Sequence, residues 1–334
     1  MHRWVAPGFD GPPTGGTLYG AALLAALVRR GIDVRPMDVR AAVEALAGGE
    51  DGVYWIDSLH LEQMPELRRA RAGMQPLVLV AHYLPSLVAH GDAWRPEQLS
   101  GLERDAIAIA DALLATSTTM ARLLANLAPR ATIACVEPGV EIVAAGEAIS
   151  DPPRALVLAN VTEGKGVLPL LRELAARADA GDRFALRVVG SVEREPDYAR
   201  ACLDRVATTP TLRDRVRFTG ALAHGAAMHE LARADLLLSA SRMESHGMAL
   251  AEARAAGVPI LAHAGGHVAA HVAQQAGGQL VPDTATLAAG FLALVRDPAE
   301  LARRKQLALA HRVARSWDDA AEDFLRAVSD LALA

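Results

Sequence analysis

The residues with the most evident chemistry in this chain are two glutamates eight positions apart. Glu244 and Glu252 stand in Leu236-Leu-Leu-Ser-Ala-Ser-Arg-Met-Glu-Ser-His-Gly-Met-Ala-Leu-Ala-Glu-Ala-Arg-Ala-Ala-Gly-Val-Pro-Ile260. This stretch reads as a strand, a short loop, a helix closed by glycine and a second strand. Gly247 lets a ligand approach the backbone at the helix start. There the free N–H groups of Gly247, Met248 and Ala249, reinforced by the helix dipole, make an anion site suited to a diphosphate. Glu244 sits just before that terminus and Glu252 about 7.5 Å along the axis from Gly247, at 1.5 Å per residue. Two carboxylates flanking a phosphate site can each accept hydrogen bonds from hydroxyls, one set on a sugar and one on a ribose.

Three other places carry candidate groups. Lys165, between Gly164 and Gly166, is one of only two lysines among 34 basic residues, the other being Lys305. A lysine beside two glycines in a loop after a strand suggests a need for a compact, flexible point charge. Gly15-Gly16-Thr17 precedes a helix and offers a second set of backbone donors, and His82 falls at a strand end. His267 and His271, with His263 upstream, have a spacing seen in zinc sites. With no carboxylate or cysteine nearby to complete a ligand set, a solvated helix start and no metal are expected there.

These groups must be positioned by an alternation of short β-rich runs with longer Ala/Leu/Arg-rich helical segments, the pattern of parallel sheets covered on both faces. Expected strands are Arg3–Ala6, Asp33–Val39, Val53–Asp57, Leu77–Ala81, Ala112–Thr116 and Thr132–Val136. The second half repeats the pattern at Ala155–Ala159, Ala185–Val189, Val216–Gly220, Leu236–Ser239, Pro259–Ala262 and Gln279–Val281. The α/β pattern implies two doubly wound Rossmann-like domains facing across a cleft, over 1–145 and 153–315. Glu141–Arg154 is the linker, and a last helix within 316–334 is placed to pack back on the first domain. Ligands of such folds bind at the carboxyl ends of strands.

The 334 residues, 51% hydrophobic and 22% charged, describe a globular protein with a sizeable core. The net charge of −5 offers no concentrated positive field for nucleic acid or an anionic membrane. Residues 1–150 hold 12 arginines and no lysine against 17 acidic residues, so the first half is acidic. Cys135 and Cys202 cannot build a disulfide framework and read as inert core thiols, which suits a reducing compartment. No apolar run approaches a membrane span, and Thr17–Arg30 reads as a helix rather than a signal peptide, so a cytoplasmic protein is expected. Several nucleotide and catalytic signatures are absent: G-x-G-x-x-G, a Walker A loop, a G-x-S-x-G elbow, H-E-x-x-H and a metal-holding Asp-x-Asp pair.

The E-x7-E arrangement strongly resembles the signature of the family-four retaining glycosyltransferases of GT-B fold. The likeness spans nearly the whole chain through Pro12-Pro13-Thr14-Gly15-Gly16-Thr17, Ala81-His82-Tyr83, Ala115-Thr116-Ser117, Glu137-Pro138-Gly139-Val140, Glu163-Gly164-Lys165-Gly166 and Gly265-Gly266. It implies that Glu244 meets the donor-sugar hydroxyls and Glu252 the ribose hydroxyls. The backbone of Gly247, Met248 and Ala249, together with Gly15 and Gly16, would take the diphosphate. Lys165 matches the family's phosphate-binding lysine and His82 its active-site histidine. Two departures stand out: Asn160 replaces an arginine common five residues before the lysine, and His267-Val-Ala-Ala-His271 follows Gly265-Gly266 where an acidic residue is usual.

The resemblance therefore implies a metal-independent, hexosyltransferase-like enzyme. It moves a sugar, with retention, from a nucleotide-diphospho-sugar donor to an acceptor hydroxyl on a small molecule, glycan or protein, with no other cofactor and no stable membrane association. A GT-B nucleotide-sugar epimerase and a non-catalytic sugar-nucleotide-binding protein are the competing readings, the latter motivated by the two departures.

Overall fold

The computed structural model describes residues 1–8, 14–90 and 96–331. Its strands fall into two six-stranded parallel sheets, one in each of two compact units. The first unit comprises Met1–Gly139 and Arg315–Ala334, and the second Val140–Ala314.

The first sheet contains β1 (His2–Val5), β2 (Val34–Met37), β3 (Val53–Asp57), β4 (Leu77–Ala81), β5 (Ala112–Ala115) and β6 (Ile133–Cys135) in the order β2-β1-β3-β4-β5-β6. Parallel strands covered on both faces need apolar residues on both, and every residue of Leu77-Val-Leu-Val-Ala81 is buried. The order turns back on itself at β1, whose neighbours are β2 and β3. A crevice therefore opens at the carboxyl ends of β1 and β3.

The Trp317–Asp330 helix packs on the Gly15–Arg29 helix of this unit. Its buried residues Ala320, Ala321, Phe324, Ala327 and Val328 recur at the three-to-four spacing of one helix face. The Phe324 ring is fully buried, with its centroid 4.6 Å from that of Trp55 and 6.4 Å from that of Trp4. On the outer side Arg30 pairs with Glu322 at 2.6 Å and Arg29 with Asp318 at 3.1 Å.

The second sheet contains β7 (Arg154–Leu158), β8 (Ala185–Val189), β9 (Val216–Gly220), β10 (Leu236–Ser239), β11 (Ile260–His263) and β12 (Gln279–Val281) in the order β12-β11-β10-β7-β8-β9. Counted within the unit this is 3-2-1-4-5-6 read from its other edge, the dinucleotide-fold order, with its switch point between β7 and β10. The core gathers Leu171, Leu174, Phe184, Leu238 and Phe291, the two phenylalanine rings meeting edge-on at 5.1 Å.

Strands lie within a residue or two of the sequence expectation, but the linker does not. Glu141–Arg154 belongs to the second unit because its apolar residues have somewhere to go. Ala145 is buried in a cluster with Met228, Leu231 and Ala256, and its N–H donates to the Ala256 carbonyl at 2.9 Å. The Ser150 N–H donates to Asp235 at 3.1 Å. Asp235 in turn holds the buried Lys305 ammonium at 2.6 Å, so one carboxylate ties this segment to a helix far along the chain.

Candidate functional site

In the second unit the candidates gather at the loops leaving β7 and β10. After β7 the chain makes a short turn over Glu163–Lys165 and enters the next helix through Gly166, at φ +67°. A side chain there would overlap the Ala240 carbonyl oxygen, so glycine is what lets the β7 loop lie against the end of β10. The Arg242 N–H donates to the Gly164 carbonyl at 3.1 Å and fastens the two loops. Across this junction Lys165 Nζ donates to Glu244 Oε1 at 2.6 Å, with both side chains part-exposed.

Gly247, at φ +88°, begins the Met248–Ala256 helix with no side-chain cap. The Gly247 carbonyl accepts from Leu250 and Ala251 N–H, each at 3.0 Å. The amides of Met248 and Ala249 thus stand ahead of the first intrahelical bond, the arrangement that attracts anions. Glu244 is held by a backbone bridge to Gly266 and by the His267 N–H, which donates to its carbonyl at 2.8 Å. The pair Gly265-Gly266 therefore serves Glu244 directly.

Glu252 is 4% exposed, and burial, with Glu141 near, pushes its carboxyl up to about 8. His224 Nε2 lies 3.8 Å from Glu252 Oε1 and 3.5 Å from Glu141 Oε2. The sequence reading missed both neighbours, which come from outside the E-x7-E stretch. Asn160 is also engaged: its amide oxygen accepts from the Ser191 N–H at 2.9 Å and so joins the loops after β7 and β8. Arg242, a nearby cation, pairs with Glu163 at 3.2 Å.

In the first unit Gly15 and Gly16 are the opening residues of the helix that follows β1, rather than a loop ahead of it. Thr14 caps that helix, its hydroxyl accepting from the Thr17 N–H at 3.0 Å, because Thr14 and Thr17 complete a capping box. Pro12 and Pro13 lie outside the described residues. A side chain at Gly16 would meet the His82 ring at 3.6 Å, so these two candidates are neighbours. His82 is buried, its ring edge-on to Tyr19 at 4.7 Å and its Nε2 3.5 Å from Asp57 Oδ2. Burial holds its imidazole below the usual range, with Asp57 opposing. Asp57, an acid ending a wholly buried strand, was the sequence signal for this pairing.

The histidines after Gly266 depart from expectation. His267 and His271 are buried rather than forming a solvated helix start, and their companion is His246, not His263. His263 turns its ring nitrogens toward the carbonyls of Pro282, at 2.8 Å, and Ser241, at 3.4 Å. Linear spacing hid the cluster because the Glu244–Gly266 bridge brings in a residue 21 positions upstream of His267.

Two parallel-sheet units, the second carrying a lysine, a carboxylate and an uncapped helix N-terminus at its switch point, define the GT-B class of glycosyltransferase fold. HepE of Anabaena, solved in complex with UDP-glucose, matches 98% of this chain and 99% of its own at a TM-score of 0.72 and 17% identity, which supports that fold. The model of the group 1 glycosyl transferases matches residues 152–297. The D-inositol 3-phosphate glycosyltransferase of Actinosynnema mirum is 31% identical over 82% of this chain and 70% of its own length. The enzyme of that name from Nocardia farcinica is 30% identical over 83% of this chain, which spans only 65% of it. The chain belongs to the group 1, or family-four, glycosyltransferases.

Proposed function

We propose that the chain transfers a sugar from a nucleotide-diphospho-sugar to an acceptor hydroxyl with retention of anomeric configuration. The observation that carries this reading is the Lys165–Glu244 pair beside the uncapped helix at Gly247, at the switch point of the second sheet. A diphosphate arriving there replaces Glu244 as the partner of the Lys165 ammonium and accepts from the Met248 and Ala249 amides. Glu244, released, turns to the sugar hydroxyls, and Glu252 accepts from the ribose.

In the reaction the bond from the anomeric carbon to the β-phosphate oxygen breaks with its electron pair staying on phosphate. The acceptor oxygen bonds to the anomeric carbon from the same face, and its proton passes to the departing phosphate oxygen. Charge that grows on the leaving group is met by preorganised donors, Lys165 and the helix terminus, where such donors contribute most. His82, kept neutral by burial, would orient the sugar. This route asks for no metal at the diphosphate.

The test is incubation with UDP-, GDP- and ADP-sugars and D-inositol 3-phosphate, the acceptor named for the relatives, alongside other polyols and glycans. A glycoside whose anomeric configuration matches the donor supports the reading. An inverted product overturns retention. Free nucleoside diphosphate with no glycoside from any acceptor favours the epimerase reading, and donor binding without turnover favours a binding protein. That last alternative draws on Asn160, whose amide is committed to the backbone where relatives often place a cation.

A further inference from the structure

We propose that His246, His267 and His271 form a site for a borderline divalent transition-metal ion, zinc foremost, seated against Gly247. One imidazole comes from the loop after β10 and two from the ends of the short Val268–His271 helix after Gly266; they are 7%, 5% and 8% exposed and offer ligand nitrogens that all lie within 4.8 Å of one another. Their ring centroids are 4.9 to 5.4 Å apart in a closed triangle. Zinc bound at about 2.0–2.1 Å would draw the nitrogens to roughly 3.4 Å, a contraction that side-chain rotation can supply.

Three features favour a metal over a packed core. The donor set is wholly imidazole, which suits zinc, nickel or cobalt and is unsuited to magnesium or calcium, which take oxygen ligands. His271 sets one ring nitrogen, Nε2, 2.8 Å from the His246 carbonyl oxygen. Donation from Nε2–H to that oxygen would fix the tautomer, an outer-shell hydrogen bond of the kind usual for metal-bound histidine. The two segments are also fastened before any ion binds, by the Glu244–Gly266 bridge and the His267 N–H to Glu244 carbonyl bond, so little chain ordering remains to oppose binding.

The position gives such an ion a consequence. A side chain on Gly247 would meet the His271 ring at 3.6 Å and the Glu244 Cβ at 3.5 Å. An ion among the three imidazoles would therefore lock together the loop bearing Glu244, the helix start at Gly247 and the segment after Gly266. Three protein nitrogens leave a fourth tetrahedral position for water.

The experiment uses the full chain, free of any histidine tag, stripped with chelator and titrated with zinc against a chromophoric competitor. About one equivalent should bind, and the melting temperature should rise with zinc but not with magnesium. Cobalt in place of zinc should give the visible bands of a tetrahedral nitrogen site. His267→Ala and His271→Ala should each weaken zinc binding roughly a hundredfold or more, whereas His263→Ala should leave it unchanged. Far-UV circular dichroism checks each variant's fold. Should the alanine variants unfold, the wild-type stoichiometry and cobalt spectrum still decide. Wild-type protein that takes up no zinc at micromolar concentration, or folded His267→Ala that keeps it with wild-type affinity, overturns the proposal and leaves three imidazoles packed for stability alone.

Discussion

Lys165 and Lys305, the two lysines of an arginine-rich chain, show how differently one residue type can be used. Lys305 is buried, its ammonium held by Asp235 and by the carbonyls of Ala148, at 3.1 Å, and Ala234, at 3.4 Å. That charge is committed to the fold, while Lys165 pairs with the part-exposed Glu244 carboxylate, which the proposed reaction has a phosphate replace. Lys165→Ala should lower turnover by roughly two to three powers of ten, since losing one preorganised charge at a leaving group costs about 3–4 kcal/mol. A loss under threefold in initial rates would mean that Arg242 holds the phosphates instead.

Glu252 yields a prediction of pH dependence. The buried carboxyl titrates at about 8 against 4.5 ordinarily, so the free folded chain holds a proton there that the unfolded chain has lost between those values. Its contribution to stability is full below pH 4.5 and disappears as pH rises through about 8. Ribose hydroxyls donate best to the ionised form, so nucleoside diphosphate affinity should rise across the same interval, with proton release on binding. Calorimetry in buffers of different ionisation enthalpy reads this, and Glu252→Gln should abolish it. Unchanged proton release in that variant would place the titration elsewhere. The glutamate pair and Lys165 could be read from the sequence because their signal is local. The Glu141 and His224 neighbours could not, since both are brought in from outside that stretch.

Turns rather than helices or strands hold the site together. The loops after β7 and β10 interlock because Gly166 carries no side chain against the Ala240 carbonyl and Arg242 donates across to Gly164. Gly166→Ala should cost roughly 2 kcal/mol or more, from the left-handed backbone and the displaced carbonyl together, and should lower the melting temperature. It should also raise the donor Kd, measured by titration. An alanine variant as stable and as tight-binding as wild type would show the loops yielding without cost. Strand positions were legible because buried parallel strands are apolar runs bounded by turn-forming residues, as at Val53–Asp57 after Gly52 and Leu77–Ala81 after Pro76. The Glu244–Gly266 bridge was not, since a contact between loops has no periodicity. For that reason the histidine triangle stayed hidden while both glycine pairs were noticed.

Across the molecule, the charge and the returning helix matter most. An acidic first half argues against docking on anionic lipid, where each Lys or Arg contributes about 1 kcal/mol. The protein should stay out of phosphatidylglycerol vesicles in flotation at physiological salt, and co-migration would contradict this. No described helix is long and apolar enough to cross a membrane. Phe324→Ala should cost about 3–5 kcal/mol, because the ring fills the space against Trp4 and Trp55. A shift in the first unfolding transition by calorimetry is the readout, and a loss below 1 kcal/mol would mean that the helix is dispensable. The first unit takes its last helix from residues synthesised after the entire second unit. In a chain emerging from the ribosome the second unit is therefore complete before the first. Residues 140–314 can close their own core while the first sheet, already emerged, waits with two tryptophans lacking their cover. The segment from Arg315 onward then acts as the clasp of biosynthesis, and a chain cut after Ala314 would leave a finished second unit joined to a first without its cover.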